Sequence, residues 1–508
     1  MEGNRLGNRA LDKIEKLGNK LPHPFMLFVY FIVAIILTSF IISFFDVAFQ
    51  DPESGDMIEI NNMLSADGIE YIFSSMLDNF TGFTPLGTVL SLMLGIGLAQ
   101  KVGLMESFMK KTITNAPKQL VTYAVVFAGI LGNLASDAAF VIIPPLAAMV
   151  FYSIGRHPVA GLAAGFAGVG AGFTANFLIT GTDALLSGIS TEVAQTINAD
   201  LFVTPVDNYF FMVVSVFMLI FVGVWITEKV TVPRLGKYDP KYAEDGVLDQ
   251  KVEEITPEIN RGLRNALIAG ALYIGVAALL ILPPNAILRG DDGSMVPSPF
   301  FDNIVPINLL FFLVVSITYG VTVKEITAAR DVPEKMAAAM KDMSGFIVLI
   351  FAASQFIAYF DYTNIGAWIA VSGASTLESM NFTGLPVIVL FILFTTMLNM
   401  FIFSGSAQWA LMAPVFIPLF VYLNYDPAYI QLAYRIGDSS TNIITPMNPY
   451  VPMVLAFLKQ YDTRAGFGTL FSIMIPYTIV ILTLWIIMFV VWSLLGLPIG
   501  PGSGMHIQ

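Results

Sequence analysis

The chain has 508 residues, of which 56% are hydrophobic and only 12% are charged, and its mean hydropathy is +0.74. A water-soluble fold of this composition would expose too much apolar surface, so we expect an all-α polytopic membrane protein. The net charge of -12 excludes a nucleic-acid partner, because a phosphate polymer requires a concentrated basic surface. The absence of cysteine excludes disulfides, thiolate metal sites and cysteine nucleophiles.

The charges of the first loops orient the chain in the bilayer, since short cytoplasmic loops are rich in Lys and Arg. Residues 1–24 carry five basic side chains, whereas residues 46–80 carry acidic side chains and no basic one. The first predicted span, residues 25–45, therefore runs from the cytoplasm outward. A second span at 85–100 returns to a basic loop that includes Lys101 and Lys118.

The next segment, residues 119–155, contains Asp137 as its only charge and ends before Arg156. It is too short for two full spans of about 20 residues each with a loop between them. We interpret it as a re-entrant hairpin with a polar tip from Gly132 to Asp137, although two short spans remain an alternative. Residues 157–181 then cross outward as a glycine-broken span, and 185–208, which lack Lys and Arg, form a predicted external loop.

The second half of the chain repeats this plan after a basic cytoplasmic loop at 228–264. Residues 361–381 form a predicted external loop, and the charge-free segment 383–424 forms a second hairpin that bends at Ser404, Gly405 and Ser406. Residues 498–508 form an external tail. The remaining predicted spans are 209–227, 265–282, 304–323, 343–360, 427–458 and 467–497. The prediction is one membrane domain at 25–497 with nine transmembrane helices, two re-entrant hairpins, a cytoplasmic N-terminus and a periplasmic C-terminus.

Two segments about 270 residues apart share a pattern of serine, proline and glycine. Pro144 lies eight residues after Ser136, and Pro414 lies eight residues after Ser406. Further on, Gly168 and Gly437 each lie ten residues beyond a proline, Pro158 and Pro427 respectively. Gly/Pro-interrupted apolar segments in corresponding halves indicate the binding site of a secondary transporter. We therefore predict an inverted repeat, about 85–227 and 304–497, with helix breaks at Gly168, Pro427 and Gly437.

Few charged residues lie at bilayer depth, where each costs about 2.5 to 3.5 kcal/mol and needs a partner or a wet cavity. Asp137 lies at the first hairpin tip, and Arg435 and Asp438 share one face if their segment is helical. Two interpretations remain open for the latter: they pair with each other, or Arg435 binds a substrate carboxylate. Asp183 is either a gating carboxylate or a solvated loop acid.

Hydroxyl and amide side chains cluster in both repeats and are predicted to line one cavity, with Ser136 and Asn176 equivalent to Ser406 and Asn442. Hard cations such as Na⁺ prefer such oxygens, while a proton would use Asp438 or Asp137. Helix packing alone is the alternative explanation. Trp409 either stacks on an aromatic ligand or fills space. The complete set of these hydroxyl and amide candidates is Asn133, Ser136, Thr174, Asn176, Ser404, Ser406, Ser439, Thr441 and Asn442.

Other classes of protein fit less well. Residues 435–438 lack the first glycine of the Gly-x-Gly-Asp pattern of intramembrane aspartyl proteases, and no Walker lysine loop occurs in the sequence. A passive channel is the stronger alternative, because its composition and spans are similar. We expect no enzyme activity and no cofactor other than a coupling ion, H⁺ or Na⁺.

The runs RHPVAGL at 156–162, SGSAQW at 404–409, YRIGDS at 434–439 and GLPIGPG at 496–502 resemble the AbgT family of p-aminobenzoyl-glutamate transporters. The resemblance extends over essentially the whole chain and implies a homodimer in the bacterial inner membrane, driven by a cation gradient. The run GDSSTNIITP at 437–446 resembles members linked to efflux of sulfonamides and antimetabolites, so uptake and efflux both stay open. The resemblance implies functional roles for Asp183, Trp409, Pro427, Arg435, Asp438 and Pro446, and we place a further helix break at Pro446.

Overall fold

The computed structural model describes residues 22–45, 47–50, 52, 55–135, 138–249 and 255–507. A two-stranded antiparallel sheet joins β1 (Ala48–Gln50) to β2 (Met57–Glu59), and most other described residues are helical. The first helices are α1 Pro24–Ile42, α2 Ala66–Thr81, α3 Thr84–Lys101, α4 Leu104–Thr114, α5 Val121–Gly132, α6 Ala138–Ser153, α7 Pro158–Ala171, α8 Gly181–Ala194, α9 Tyr209–Ile226, α10 Val232–Leu235 and α11 Pro257–Leu279. The others are α12 Pro299–Asp302, α13 Ile304–Thr322, α14 Asp331–Asp342, α15 Ser344–Tyr362, α16 Ile365–Ser379, α17 Leu385–Asn399, α18 Gly405–Tyr422, α19 Pro427–Thr441, α20 Val451–Tyr461 and α21 Phe467–Leu494.

The predicted all-α polytopic membrane fold is confirmed. Within the described part of the chain, eight helical segments are long and apolar enough to cross a membrane. Seven of them correspond to predicted spans, and the eighth, α18, is one arm of the second predicted hairpin. The two other predicted spans are the broken ones, which consist of shorter helices. The eight segments are Pro24–Ile42, Ala66–Lys101, Tyr209–Leu235, Pro257–Leu279, Ile304–Thr322, Ser344–Tyr362, Gly405–Tyr422 and Phe467–Leu494.

Both predicted hairpin segments consist of two helices with a short non-helical link. In the first, α5 is followed by a 3₁₀ turn, Asn133–Ala135, and then α6, while Ser136 and Asp137 lie outside the described residues. In the second, α17 and α18 flank the predicted bend, and Ser404 caps the N-terminus of α18. Pro144 and Pro414, which define the repeat in the sequence, both lie inside the second helix of their hairpin. Re-entrant insertion itself stays a prediction.

The helix breaks lie later in the chain than predicted. The chain leaves helical geometry over residues 172–180, between α7 and α8, and over residues 442–450, between α19 and α20. These two breaks start 270 residues apart and have equal length, so they obey the predicted repeat. Pro446 lies within the second break, as expected, but Gly168 and Gly437 lie inside helices and Pro427 is a first-turn residue.

Close packing explains why these two glycines do not break their helices. A Cβ added to Gly437 would lie 2.7 Å from the carbonyl oxygen of Ile392 in α17, and one added to Gly168 would lie 2.9 Å from that of Val126 in α5. Each glycine therefore lets a hairpin helix approach the backbone of a broken helix. A proline at the first helical position, such as Pro427, sacrifices no intrahelical hydrogen bond.

Two predicted external loops contain helices. The 185–208 loop was predicted to start inside what is α8, which continues to Ala194 and is buried along most of its length. The 361–381 loop contains α16, which packs against α18 where Gly373 meets Leu419. Both helices are rich in small and hydroxyl residues, so their hydropathy is moderate and their burial depends on tertiary packing.

Candidate functional site

The centre of the molecule contains a salt bridge between the two repeats. Arg435 in α19 is 1% exposed, and its guanidinium donates a short hydrogen bond to the carboxylate of Asp183 in α8. The same Nη2 atom donates to the carbonyl oxygen of Thr174 at 2.6 Å, within the first helix break. Arg435 therefore pairs with Asp183, and the interpretation that it pairs with Asp438 is wrong.

Asp183 occupies a favourable position for an anion at the start of α8. Its carboxylate accepts hydrogen bonds from the backbone N–H of Thr180 at 2.8 Å and from the Thr180 hydroxyl at 2.7 Å, while its own N–H donates to the Thr180 hydroxyl at 3.3 Å. This is a capping box, and the positive end of the helix dipole adds to it. With 6% exposure, Asp183 is not a solvated loop acid.

Asp438 lies one turn after Arg435 and is 1% exposed. Among the described residues, neither of its carboxylate oxygens has a hydrogen-bond partner. The carboxylate faces Gly405 at the N-terminus of α18, where an added Cβ would lie 3.1 Å from Oδ2. A buried, unpartnered carboxyl requires an explanation, and a bound proton or cation is the simplest chemical one.

Asn176 is the second polar side chain without a partner. Both side-chain amide atoms lack a hydrogen bond among the described residues, and the residue is 4% exposed. It lines a small cavity together with Asp183, Asn208 and Arg435. An amide and a planar guanidinium on one cavity wall are suited to bind a carboxylate or an amide group.

Trp409 is fully buried in α18 and belongs to a hydrogen-bond chain that leads to Arg435. Its indole N–H donates to the Ser190 hydroxyl at 3.0 Å, and Ser190 donates to Gln431 at 2.7 Å. Gln431 and Arg435 both donate to the side-chain oxygen of Asn208, at 3.0 and 3.4 Å. The indole ring lies 4.5 Å from the ring of Tyr434, centroid to centroid, so stacking on a ligand stays a prediction.

The predicted hydroxyl and amide residues divide into separate groups. Thr174 and Ser439 hydrogen-bond to each other at 2.7 Å beside Arg435. Thr441 and Asn442 both accept hydrogen bonds at 2.9 Å from Asn399. Ser404 and Ser406 lie 3.3 Å apart at the start of α18. Asn133 lies in the other repeat and donates to the carbonyl of Val169 at 3.0 Å.

Some of the predicted site therefore stays untested. Ser136 and Asp137 lie outside the described residues, so the equivalence of Ser136 and Asn176 with Ser406 and Asn442 is still a prediction, as is the sodium site.

The sequence analysis missed several residues of this network. Asn399 makes three hydrogen bonds, including one at 2.6 Å to the carbonyl of Asp438. A sequence signal existed for it, since an amide inside a charge-free apolar segment needs a buried partner. Asn208, Ser190, Gln431 and Tyr434 had no such signal, because only packing brings them to Arg435 and Trp409.

Comparison with known proteins gives one consistent result. Residues 9–507 match the model of the AbgT putative transporter family. The chain is 44% identical to the p-aminobenzoyl-glutamate transport protein of Escherichia coli (strain K12) over 490 residues, which cover 96% of this chain and 95% of that protein.

Two solved structures have the same fold. The YdaH transporter of Alcanivorax borkumensis, whose topology is described as unusual, is 37% identical with a TM-score of 0.89, covering 94% of this chain and 100% of that one. Neisseria gonorrhoeae MtrF, which is described as illuminating a class of antimetabolite efflux pumps, is 41% identical with a TM-score of 0.91, covering 97% and 99%.

Proposed function

Because the chain belongs to the AbgT family of transporters, we propose that it is a secondary active transporter of p-aminobenzoyl-glutamate or related aromatic amides and carboxylates. It would work as a homodimer in the inner membrane and would have no enzyme activity. The observation that carries the proposal is the buried Arg435–Asp183 pair, which joins the two repeats beside the unpartnered Asn176. Binding sites of secondary transporters lie at such junctions between broken helices.

Substrate binding would act on this ion pair directly. A guanidinium binds carboxylates bidentately, so the glutamyl carboxylate of the substrate competes with Asp183 for Arg435. Asp183 caps α8 and Arg435 is part of α19, so exchange of the partner changes the contact between the two repeats. The site thus links occupancy to the relative position of the repeats, which alternating access requires.

We infer that a cation gradient drives transport and that Asp438 belongs to the coupling site. Its buried carboxylate, unpartnered among the described residues, supports this inference. A proton would neutralise it directly, whereas Na⁺ would need further oxygen ligands, for which Ser404 and Ser406 are candidates. Replacing sodium with choline and, separately, adding a protonophore distinguishes the two ions. Transport that responds to neither change would indicate a passive channel.

The charge of the substrate provides the main test. Arg435→Lys keeps the positive charge but loses the planar fork, so we expect transport of p-aminobenzoyl-glutamate to fall at least tenfold, since a charge-assisted hydrogen bond contributes about 1.5 to 3 kcal/mol. Transport of an uncharged sulfonamide should fall less. If Arg435→Lys transports both compounds normally at matched membrane levels, Arg435 is only structural.

Efflux of sulfonamide-type antimetabolites on the same site is the second candidate function. The 437–446 run, which resembles efflux members, and the likeness to MtrF favour it. Accumulation in right-side-out vesicles indicates uptake, and accumulation in inverted vesicles indicates efflux.

A further inference from the structure

A large groove lies far from the central site, between α5, α9 and α21. It measures about 1190 Å³, which exceeds the roughly 300–1,000 Å³ typical of pockets for drug-sized ligands. Its apolar lining includes Phe221, Trp225 and Leu484, of which Phe221 and Trp225 are more than half exposed. An open apolar groove on the outer face of a membrane protein is suited to an acyl chain.

One end of this groove is basic. Lys118, Arg156 and Lys229 line it, with Glu228 as the single acidic residue, so two positive charges remain in excess. No salt bridge among the described residues includes Lys118 or Lys229, and both are exposed. Their ammonium groups are therefore available for an external anion.

Arg156 and Glu228 make this basic end rigid. The guanidinium donates to Glu228 Oε1 at 2.6 Å and to the Thr122 hydroxyl at 2.8 Å, and that hydroxyl donates to the same carboxylate oxygen at 2.6 Å. Arg156 also lies over the ring of Phe151, 4.3 Å from its centroid. These contacts hold the turn between α6 and α7 against the start of α5 and the end of α9.

The helical geometry at this place is also unusual. Residues Thr227–Thr231, which contain Glu228 and Lys229, form a π-helix after α9. The hydroxyl of Tyr477 in α21 binds Thr227 at 2.6 Å and Thr231 at 3.1 Å, and this stabilises the wide turn. π-Helical turns occur frequently at functional sites.

We propose that this groove is a binding site for an anionic phospholipid. The phosphate lies between Lys118 and Lys229, and an acyl chain follows Phe221, Trp225 and Leu484 along the groove. Charge complementarity selects an anionic headgroup, because basic pockets between transmembrane helices bind such headgroups on the cytoplasmic side. An aromatic side chain beside the charged end, Trp225, suits the membrane interface. The proposal is independent of the transported substrate.

The test uses the purified full-length protein in detergent, titrated with phosphatidylglycerol, phosphatidylcholine or inorganic phosphate while thermal unfolding is followed. We expect phosphatidylglycerol to raise the unfolding temperature and the two other probes to have little effect. In the Lys118→Gln/Lys229→Gln variant, apparent affinity for phosphatidylglycerol should fall at least tenfold, since each basic residue contributes to headgroup attraction.

The control is Lys237→Gln/Lys459→Gln, which removes two exposed lysines outside the groove lining. It should respond to phosphatidylglycerol like the wild type. An equal loss in the control would overturn the proposal, as would an unchanged response in the groove variant. An equal effect of phosphatidylcholine would show that the headgroup is not recognised, and stabilisation by phosphate alone would show a free-anion site. A lipid-independent change in oligomeric mass of the groove variant would identify a second copy of the chain as the occupant.

Discussion

At the scale of single residues, the central site depends on a charge pair removed from water. Arg435 and Asp183 are both almost fully buried, so each charge is tolerated because the other is present. The pair also has supporting hydrogen bonds from the Thr180 cap and to the Thr174 carbonyl. Its net stability contribution is therefore small, whereas the loss of one partner is severe.

We expect Arg435→Met or Asp183→Asn alone to destabilise the protein by about 3–5 kcal/mol, because each leaves one buried charge unpaired. The double variant should regain most of this stability but should not transport. Thermal unfolding and flux at matched membrane levels measure both effects. Arg464→Gln, which disrupts the exposed Arg464–Asp462 pair, is the control and should cost at most about 1 kcal/mol. A double variant as unstable as the worse single variant would contradict this account.

Two tryptophans allow a matched comparison. Trp409 and Trp485 are both fully buried, and their indole N–H groups donate to Ser190 at 3.0 Å and to Ser215 at 2.9 Å. Replacement by Phe removes the same hydrogen bond in each case, so both variants should lose about 1 kcal/mol. Only Trp409→Phe should reduce transport, because only Trp409 connects to Arg435. Equal flux in the two variants would show that Trp409 merely fills space.

At the scale of helices, the two repeats use the same contact between hairpin and broken helix. The first hairpin helix ends at an asparagine, Asn133 or Asn399, whose amide donates to a backbone carbonyl in the last turn of the broken helix. The acceptors are Val169 in α7 and Asp438 in α19. Helix C-termini leave carbonyl groups without intrahelical partners, so this contact stabilises the helix end beside each break.

Asn399→Ala tests the importance of this contact. It removes three hydrogen bonds and leaves buried acceptors unsatisfied, so we expect a loss of about 1–3 kcal/mol and a strong decrease in transport. Asn265→Ala is the control, because Asn265 makes one side-chain hydrogen bond, at 3.2 Å to Thr322, away from the site. Unfolding and flux are measured for both. If the two variants transport equally well, the hairpin tip does not position Asp438.

At the scale of the whole molecule, the orientation in the membrane rests on the distribution of loop charge. The positive-inside rule places residues 228–264 in the cytoplasm and the C-terminus in the periplasm. A reporter enzyme active only in the periplasm should therefore be active when fused after Gln508 and silent when inserted at 228–264. The opposite pattern would invert the topology.

The C-terminal tail docks onto the loops before α9 and α19, where buried acids make docking dependent on pH. Ile499 accepts a backbone hydrogen bond from Phe211 at 3.1 Å, and Met505 accepts one from Asp426 at 3.1 Å. Burial raises the pKa of Asp207 to about 7 from its usual 3.8, and that of Asp426 to about 6. Since a raised pKa favours the protonated native state, stability is highest below about pH 4 and decreases as pH rises to about 7.

Asp207→Asn should remove much of this pH dependence, because the amide mimics the protonated acid. Asp200→Asn, at an exposed acid in the same loop, should leave it unchanged. Thermal unfolding at pH 5 and pH 8 provides the comparison. A wild-type protein that is more stable at pH 8, with the same gain in both variants, would contradict the assignment.

Local sequence properties determined most of the architecture. Spans, hairpin segments and the offset of the repeat follow from runs of apolar residues, from the positions of charges and from proline and glycine spacing, all of which act over one or two helical turns. The same properties singled out Arg435, Asp438 and Asp183, since an ionisable residue in an apolar segment is rare. The positions of the breaks were less accessible, because a helical glycine that permits close packing resembles one that ends a helix.

Only the tertiary structure decided which groups meet. Two acids, Asp183 and Asp438, were available to Arg435, and the nearer one in sequence was not its partner. The choice depends on how α8 packs against α19, and α8 itself was mistaken for an external loop because its small and hydroxyl side chains carry little hydropathy signal. A buried polar network costs free energy until its partners are in place, and those partners come from segments separated by more than 200 residues. No local pattern encodes such distances.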